Sequence, residues 1–299
     1  MMNAKALSMA LITIIIWGST FAAIRYSLHG GYSAGHLVLV RYLIASFAFI
    51  LYAIMPGVRF RLPKKQDILR LLLLGWVGIS MYHIGVTFGE QTISAGTAGM
   101  LIGAAPIFTA LFAVIVLKEH LGIPGWTGLA IGLTGIVLIT LGSSSSLTVS
   151  GGALLVLMAA VATSVFFVFQ KAFLTRYSPV ELTAYVTWAG TLPFLWFAPG
   201  LLDSIGHATL EAHISTLYVG IFPAAIAYVT WAIALSAGKA SSVASMIYLE
   251  PGVAILTAWI WLSEWPSTLS LIGGLVAIAG VLVVNGFGRK QTTVEKKSA

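Results

Sequence analysis

The sequence predicts an all-α polytopic membrane protein: ten transmembrane helices in two inverted five-helix repeats, with both termini on the cytoplasmic side. Three observations predict it. Hydrophobic residues are 59% of the 299-residue chain and charged residues 8%, whereas a soluble domain carries roughly 25% charged residues. One core cannot hide so much apolar side chain, so lipid must be the solvent. The chain also repeats at a constant offset of 145 residues without insertion. Pro106 and Glu119 recur as Pro251 and Glu264, and Gly128 and Gly135 as Gly273 and Gly280. Ser19, Phe21, Ser33 and Leu37 recur as Ser164, Phe166, Ser178 and Leu182; Gly75 and Ala95 recur as Gly220 and Ala240. Finally, the basic residues collect in alternate loops. With the N-terminus inside, Lys5, the 59–70 cluster, Lys118, Lys171, Arg176, Lys239 and the four in the tail all lie inside, 14 of the 16. Cytoplasmic loops are enriched in Lys and Arg, which selects this orientation.

Each apolar stretch is about the roughly 20 residues a bilayer core requires. The first, about 6–28, follows Lys5 and is too long for a signal-peptide core of roughly 7–15 residues, so it reads as a retained helix. The second and third, about 34–55 and 68–89, flank a basic loop. The fourth and fifth, about 93–117 and 124–141, carry Gly99 with Gly103 and Gly128 with Gly132, small faces that let helix backbones approach in lipid. Gly142 to Ser150, with Ser143 to Ser146 in a row, reads as a flexible joint. The sixth to tenth fall at about 151–173, 181–199, 212–236, 241–262 and 267–287. Period-2 alternation is absent, which disfavours a β-barrel. The expected domains are a first repeat at 1–142, a loop at 143–150, a second repeat at 151–288 and a disordered cytoplasmic tail at 289–299. An odd number of spans per copy makes the second copy enter from the opposite face. Inverted repeats with a site between them are the plan of alternating-access transporters.

Composition excludes several functions. There is no cysteine, hence no disulfide, thiol catalysis or Cys-based metal site. The net charge of +7 is spread over loops, so no nucleic-acid partner is expected. No phosphate-binding loop, HExxH pattern or paired intramembrane aspartates occur. No catalytic residue, metal or cofactor is expected.

The motifs resemble a known family. Trp17-Gly18-Ser19-Thr20-Phe21 lies in the first span, Arg41-Tyr42 in the second and Leu117-Lys118-Glu119 at the end of the fourth. Gly135-Ile136-Val137-Leu138-Ile139 closes the fifth, and Leu249-Glu250-Pro251 lies in the ninth, with Glu264 at its end. Together, at repeat spacing, these resemble the EamA family of drug/metabolite transporters over essentially the whole chain. Through Met81-Tyr82-His83 the chain is most similar to YddG-type exporters of aromatic amino acids. The resemblance implies ten helices as two inverted repeats around a central cavity lined mainly by helices 1, 3, 4, 6, 8 and 9.

Polar groups at membrane depth are costly, which makes them the sharpest functional pointers. Glu250 sits about mid-span, where the next residue, Pro251, removes a helix hydrogen bond and can open the backbone. Its carboxylate suits a cation, a proton or a substrate ammonium, or an ion pair with Arg41. His83 and its repeat counterpart Tyr228 offer hydrogen bonds on both sides of a pseudo-twofold. Trp17, Phe166, Tyr248 and the Tyr228–Trp231 pair can hold a planar substrate by stacking. The expected substrate site is therefore Trp17, Tyr82, His83, Phe166, Tyr228, Trp231, Tyr248 and Glu250. Arg41 reads as structural, Arg25 as snorkelling to the interface, Glu119 and Glu264 as gate or scaffold, and Trp259, Trp261 and Trp265 as interface anchors. The expected function is export of small amphiphilic metabolites, favouring aromatic amino acids, by a monomer in the bacterial inner membrane. The rival expectations are a multidrug or other metabolite carrier, and a membrane scaffold or channel subunit.

Overall fold

The computed structural model describes residues 4–117, 122–144, 149–237 and 245–287. Glu119, residues 145–148 of the inter-repeat joint and the tail from Arg289 lie outside the described residues. Among those described, every regular element is helical. In chain order they are α1 (Ala4–His29), α2 (Ala34–Ile54), α3 (Lys65–Gly89), α4 (Ala95–Gly103), α5 (Ala105–Leu117) and α6 (Ile123–Gly142). There follow α7 (Gly151–Leu174), α8 (Pro179–Phe194), the short α9 (Leu201–His207), α10 (Leu210–Ile221, continuing as Phe222–Ile226 and Ala227–Ala237), α11 (Glu250–Leu262) and α12 (Thr268–Phe287). Seven helical segments are long and apolar enough to cross a membrane, and Met246–Leu262 and Thr268–Val284 are shorter apolar helices. The chain is an integral membrane protein.

The repeat written in the sequence reappears in the element boundaries. α5 and α11 begin at equivalent positions, as do α6 and α12. α3 and α10 each contain a π-helical turn, Trp76–Met81 and Phe222–Ile226, again at equivalent places. The recurring residues have mechanical reasons. Ser33 and Ser178 are the N-caps of α2 and α8, and each side chain accepts a backbone N–H three residues on, at 3.2 Å. Such a cap supplies an acceptor to a helix end that lacks one. Leu37 and Leu182 follow one turn later and are buried.

Gly135 and Gly280 hold the seam between α6 and α12. A Cβ added at Gly135 would fall 2.3 Å from the Ala277 nitrogen and 2.7 Å from the Gly273 oxygen. At Gly280 it would fall 2.3 Å from the Gly132 nitrogen and 2.7 Å from the Gly128 oxygen. These two contact sets map onto each other under the repeat offset, and they pair residues in opposite chain order. The two equivalent helices therefore pack antiparallel, backbone against backbone. Another contact maps onto itself: Ser46 Oγ on α2 lies 2.9 Å from Thr191 Oγ1 on α8, its own repeat counterpart.

The structure adds features that the sequence reading lacked. The expected loop at 200–211 contains α9. The fourth apolar stretch is broken at Ala104 between α4 and α5, and a 3-10 segment, Ser245–Leu249, precedes α11. Ser164 Oγ on α7 donates to the Ala105 carbonyl at the first break, at 2.8 Å. Its counterpart Ser19 is instead 2.6 Å from the Tyr218 hydroxyl.

The seam predicts a matched pair of lesions. Gly135→Ala and Gly280→Ala should each destabilise the protein by about 1–3 kcal/mol through overpacking. Gly252→Ala, whose Cβ would meet nothing within 4 Å, should be neutral or mildly stabilising. Thermal unfolding in detergent measures all three, and equal melting temperatures for the set would refute the seam.

Candidate functional site

The ninth apolar stretch positions its carboxylate differently from expectation. Glu250 is not deep within a continuous helix: the 3-10 segment ends at Leu249, and Glu250 opens the first turn of α11. The N-terminal end of a helix carries partial positive charge, which favours an anion there. Small residues fix this turn in place. A Cβ on Gly18 of α1 would lie 2.6 Å from Val253 Cβ and 3.1 Å from the Glu250 oxygen. On the other side, one on Gly103 of α4 would lie 2.3 Å from Pro251 Cγ. Gly99 meets Ala254 in the same way, so these small residues serve close packing of α4 on α11.

Glu250 is 6% exposed. Among the described residues its carboxylate has no hydrogen bond or ion pair, and the anticipated pairing with Arg41 is absent. Tyr82 and Tyr228 lie within electrostatic range of both Glu250 and Arg41.

The π turns aim these tyrosines. An α-helix advances about 100° per residue, so one extra residue in a turn re-aims everything that follows. Tyr82 and His83 are the first two residues after the first π turn, and Tyr228 is the second residue after the second. π turns are often found at functional sites. The first is packed by Phe166, whose ring would be 2.3 Å from a Cβ on Gly78.

Three of the expected aromatics converge. Trp17 meets Tyr228 edge-on and Trp231 at a tilt, both with ring centroids 5.4 Å apart. Its Nε1 donates to the Pro223 carbonyl on the second π turn at 3.3 Å. Tyr82 and His83 meet at 4.5 Å, and Tyr42 of α2 lies 4.8 Å from His83. Tyr248 lies in the 3-10 segment before Glu250, half-buried against the main core. Phe166 is 5% exposed, and its ring is taken up by packing on Gly78 and in the cluster with Tyr42 and Tyr185. A surface indentation of about 330 Å³ lies elsewhere, beside His36, Phe88 and Phe197, and includes none of the expected residues.

Charged clamps close both ends of the bundle. Arg25 does not snorkel to an interface; its Nε donates to Glu264 at 2.5 Å and its Nη1 to the Glu90 carbonyl. Glu264 also accepts from the Ala95 nitrogen at the start of α4, at 3.3 Å, so it finds the donors its position requires. At the opposite end Arg176 holds Asp67 at 2.8 and 3.0 Å, and the Tyr177 hydroxyl donates to the same carboxylate at 2.8 Å. Burial first, then Asp67, push the Tyr177 phenol above its ordinary range, so it remains a donor at neutral pH. Its repeat counterpart Tyr32 meets His213 Nδ1 at 2.9 Å. Trp259, Trp261 and Trp265 are exposed, as anchors should be.

The sequence reading passed over Glu90. It is fully buried at the end of α3, and neither carboxylate oxygen has a hydrogen-bond partner. Its lone acidic charge at a span end, with no acidic repeat counterpart, was the available signal.

Comparison with known proteins fits this geometry. The model of the EamA-like transporter family matches twice, over residues 4–141 and 150–286. The chain belongs to that family. A Bacillus subtilis (strain 168) protein described as uncharacterized transporter YdfC is 38% identical, over 90% of this chain and 87% of its own length. A probable terminal-alkyne amino-acid exporter of Streptantibioticus cattleyicolor is 36% identical, over 94% and 93%. A probable amino-acid metabolite efflux pump of Salmonella typhimurium is 26% identical, over 96% of each chain. A solved crystal structure, 21% identical with a TM-score of 0.64, covers 95% of this chain and 99% of that one, which shows a shared fold.

The clamp at Arg25 predicts a coupling. Its partners are 18% and 19% exposed, so Glu264→Gln should lower stability by about 1–3 kcal/mol, between the exposed and buried cases. Adding Arg25→Gln should cost less in the Glu264→Gln background than in wild type. A double-mutant cycle on unfolding in detergent reads this, and strict additivity would show that the pair contributes nothing.

Proposed function

We propose that this protein is a secondary transporter that exports small amphiphilic metabolites by alternating access, with aromatic amino acids the favoured cargo. The observation that carries this reading is Glu250 at the start of α11, buried without a hydrogen bond or ion pair among the described residues and in electrostatic range of Tyr82 and Tyr228, which also lie in range of Arg41. Glu250 meets the cargo ammonium. Trp17, Tyr228 and Trp231 hold a ring, with Phe166 and Tyr248 shaping the walls, and His83 with Tyr82 meets the remaining polar end. Relatives named as amino-acid exporters and metabolite efflux pumps support the cargo class.

The seven long apolar helices, the two shorter ones and α8 make ten spans, in an inverted pair of repeats at 1–142 and 151–288 with 143–150 between them. Antiparallel packing of α6 on α12 supports the inversion. The 14 basic residues on one side place both termini and the 289–299 tail in the cytoplasm. The transporter acts as a monomer in the bacterial inner membrane. Transport is facilitated, without obligatory proton coupling.

Purified protein in liposomes, offered a panel of aromatic amino acids, aliphatic amino acids and cationic drugs, tests the reading. Counterflow should be strongest for phenylalanine, tyrosine or tryptophan; drug flux without amino-acid flux would overturn the cargo class. Glu250→Gln should weaken amino-acid affinity roughly 10- to 150-fold, since a hydrogen bond to a charged group is worth about 1.5–3 kcal/mol. Accumulation of phenylalanine driven by a pH difference alone would refute the uncoupled mechanism. For topology, Val149→Cys should be labelled from outside intact cells and Thr175→Cys should not; the reverse pattern would overturn the orientation.

A further inference from the structure

Arg41 is 3% exposed on α2, and its Nε and Nη1 have no hydrogen-bond partner. The same holds for both ring nitrogens of His83 and for the hydroxyls of Tyr42 and Thr87. All four residues are at least nine-tenths buried. They form one cluster. The Arg41 guanidinium carbon is 5.6 Å from the centre of the Tyr42 ring, and that ring is 4.8 Å from His83. His83 and Thr87 are four residues apart on α3, hence on one helical face.

Every member of this cluster can donate a hydrogen bond, and no carboxylate among the described residues is within ion-pair distance of Arg41. Native proteins pair their buried polar groups, so several orphaned donors together mark a place for a ligand rich in acceptors. We propose that Arg41, Tyr42, His83 and Thr87 form the subsite for the carboxylate of the cargo. A guanidinium fork matches a carboxylate with two parallel hydrogen bonds, and the hydroxyls and a neutral imidazole serve its outward lone pairs. A single guanidinium balances a single negative charge, so a carboxylate fits better than a doubly charged phosphate. The subsite rests on the reading of the central cluster as the cargo site, and it makes that cargo a zwitterion or an acid, with Arg41 and Glu250 at its two ends. Arg41 thus becomes a binding residue rather than the structural one that the sequence suggested.

A competing role exists for Arg41. The buried, unpartnered Glu90 lies within electrostatic range of it, together with Arg25 and Glu264. Were neutralising Glu90 the purpose of Arg41, removing either charge would have the same consequence.

The test uses the full-length protein in detergent, calorimetric titration and thermal unfolding. Phenylalanine, phenylacetate, phenylalaninamide and acetate are the probes. Wild type should bind phenylalanine and phenylacetate. Arg41→Gln and Tyr42→Phe should each weaken both acids by about 10-fold or more, the loss of a charge-assisted hydrogen bond. Both should leave phenylalaninamide affinity unchanged. Tyr42→Phe removes a hydroxyl that bonds nothing, so the empty variant should melt at or above the wild-type temperature; this variant carries the test if Arg41→Gln does not fold. Glu90→Gln should leave phenylacetate affinity intact.

Equal weakening of the amide and the acids overturns the subsite, as does a Glu90→Gln variant that behaves like Arg41→Gln. Failure of wild type to bind either acid overturns it too. Acetate binding as tight as phenylacetate would assign the cluster to free anions and overturn its role for cargo. The two readings fail separately. Arg41-dependent binding of acids without amino-acid flux in liposomes removes the export reading alone. Unchanged phenylalanine affinity in both variants, with flux intact, removes the subsite alone.

Discussion

A hydrocarbon core contains no water to satisfy a polar group, and this constraint sorts every charged side chain in the protein. Towards the two ends Arg25 is paired with Glu264, and Arg176 with Asp67 and its tyrosine, while the Glu90 carboxylate beside the first pair has no hydrogen-bond partner. Those bonds tie together helices that are far apart in sequence. Between them the pattern changes. Among the described residues the side chains of Arg41, His83 and Glu250 are buried and form no hydrogen bond or ion pair, in a region where lone charges are expensive. Stability alone would remove such groups or pair them. Their retention, with Arg41 and Glu250 both in electrostatic range of Tyr228 in the Trp17–Tyr228–Trp231 cluster, is the physical argument for a ligand.

The two halves are equivalent in plan and different in detail. Their caps, buried leucines, π turns and helix breaks recur at matching positions. Their chemistry does not: His83 corresponds to Tyr228, and Glu250 to Ala105. A symmetric scaffold thus carries an asymmetric site, which is what recognition of a molecule with unlike ends demands. Ser164 holds the Ala105 carbonyl while Ser19 holds Tyr218, so the equivalent serines also differ in their bonds within one conformation.

Much of the fold was legible because lipid forces a simple code. Apolar stretches of bilayer length, basic residues in alternate loops and a gap-free repeat each report a constraint local to the chain or its copy. The π turns were not legible; the first packs against Phe166, which lies on another helix 88 positions away from Gly78. Nor was the restart of the helix at Glu250, where a proline was visible but the preceding 3-10 segment was not. In the site, the aromatic trio could be read from spacing. Arg41 could not be judged, because its lack of a counter-charge is a property of everything packed around it. Arg25 was misread for the converse reason: its partner Glu264 lies 239 positions away.

Ser46 and Thr191 are counterparts that touch each other, so their bond lies on the axis that relates the halves. A contact off that axis maps to a different place in the structure under the exchange of the two halves. This bond has no twin and is carried onto itself. If the halves trade conformations during a transport cycle, the clamps at the ends must open and close in turn, while a hydroxyl pair on the axis can remain joined throughout. In mechanical terms it is a bearing: a point on the axis where motion requires no bond to be broken.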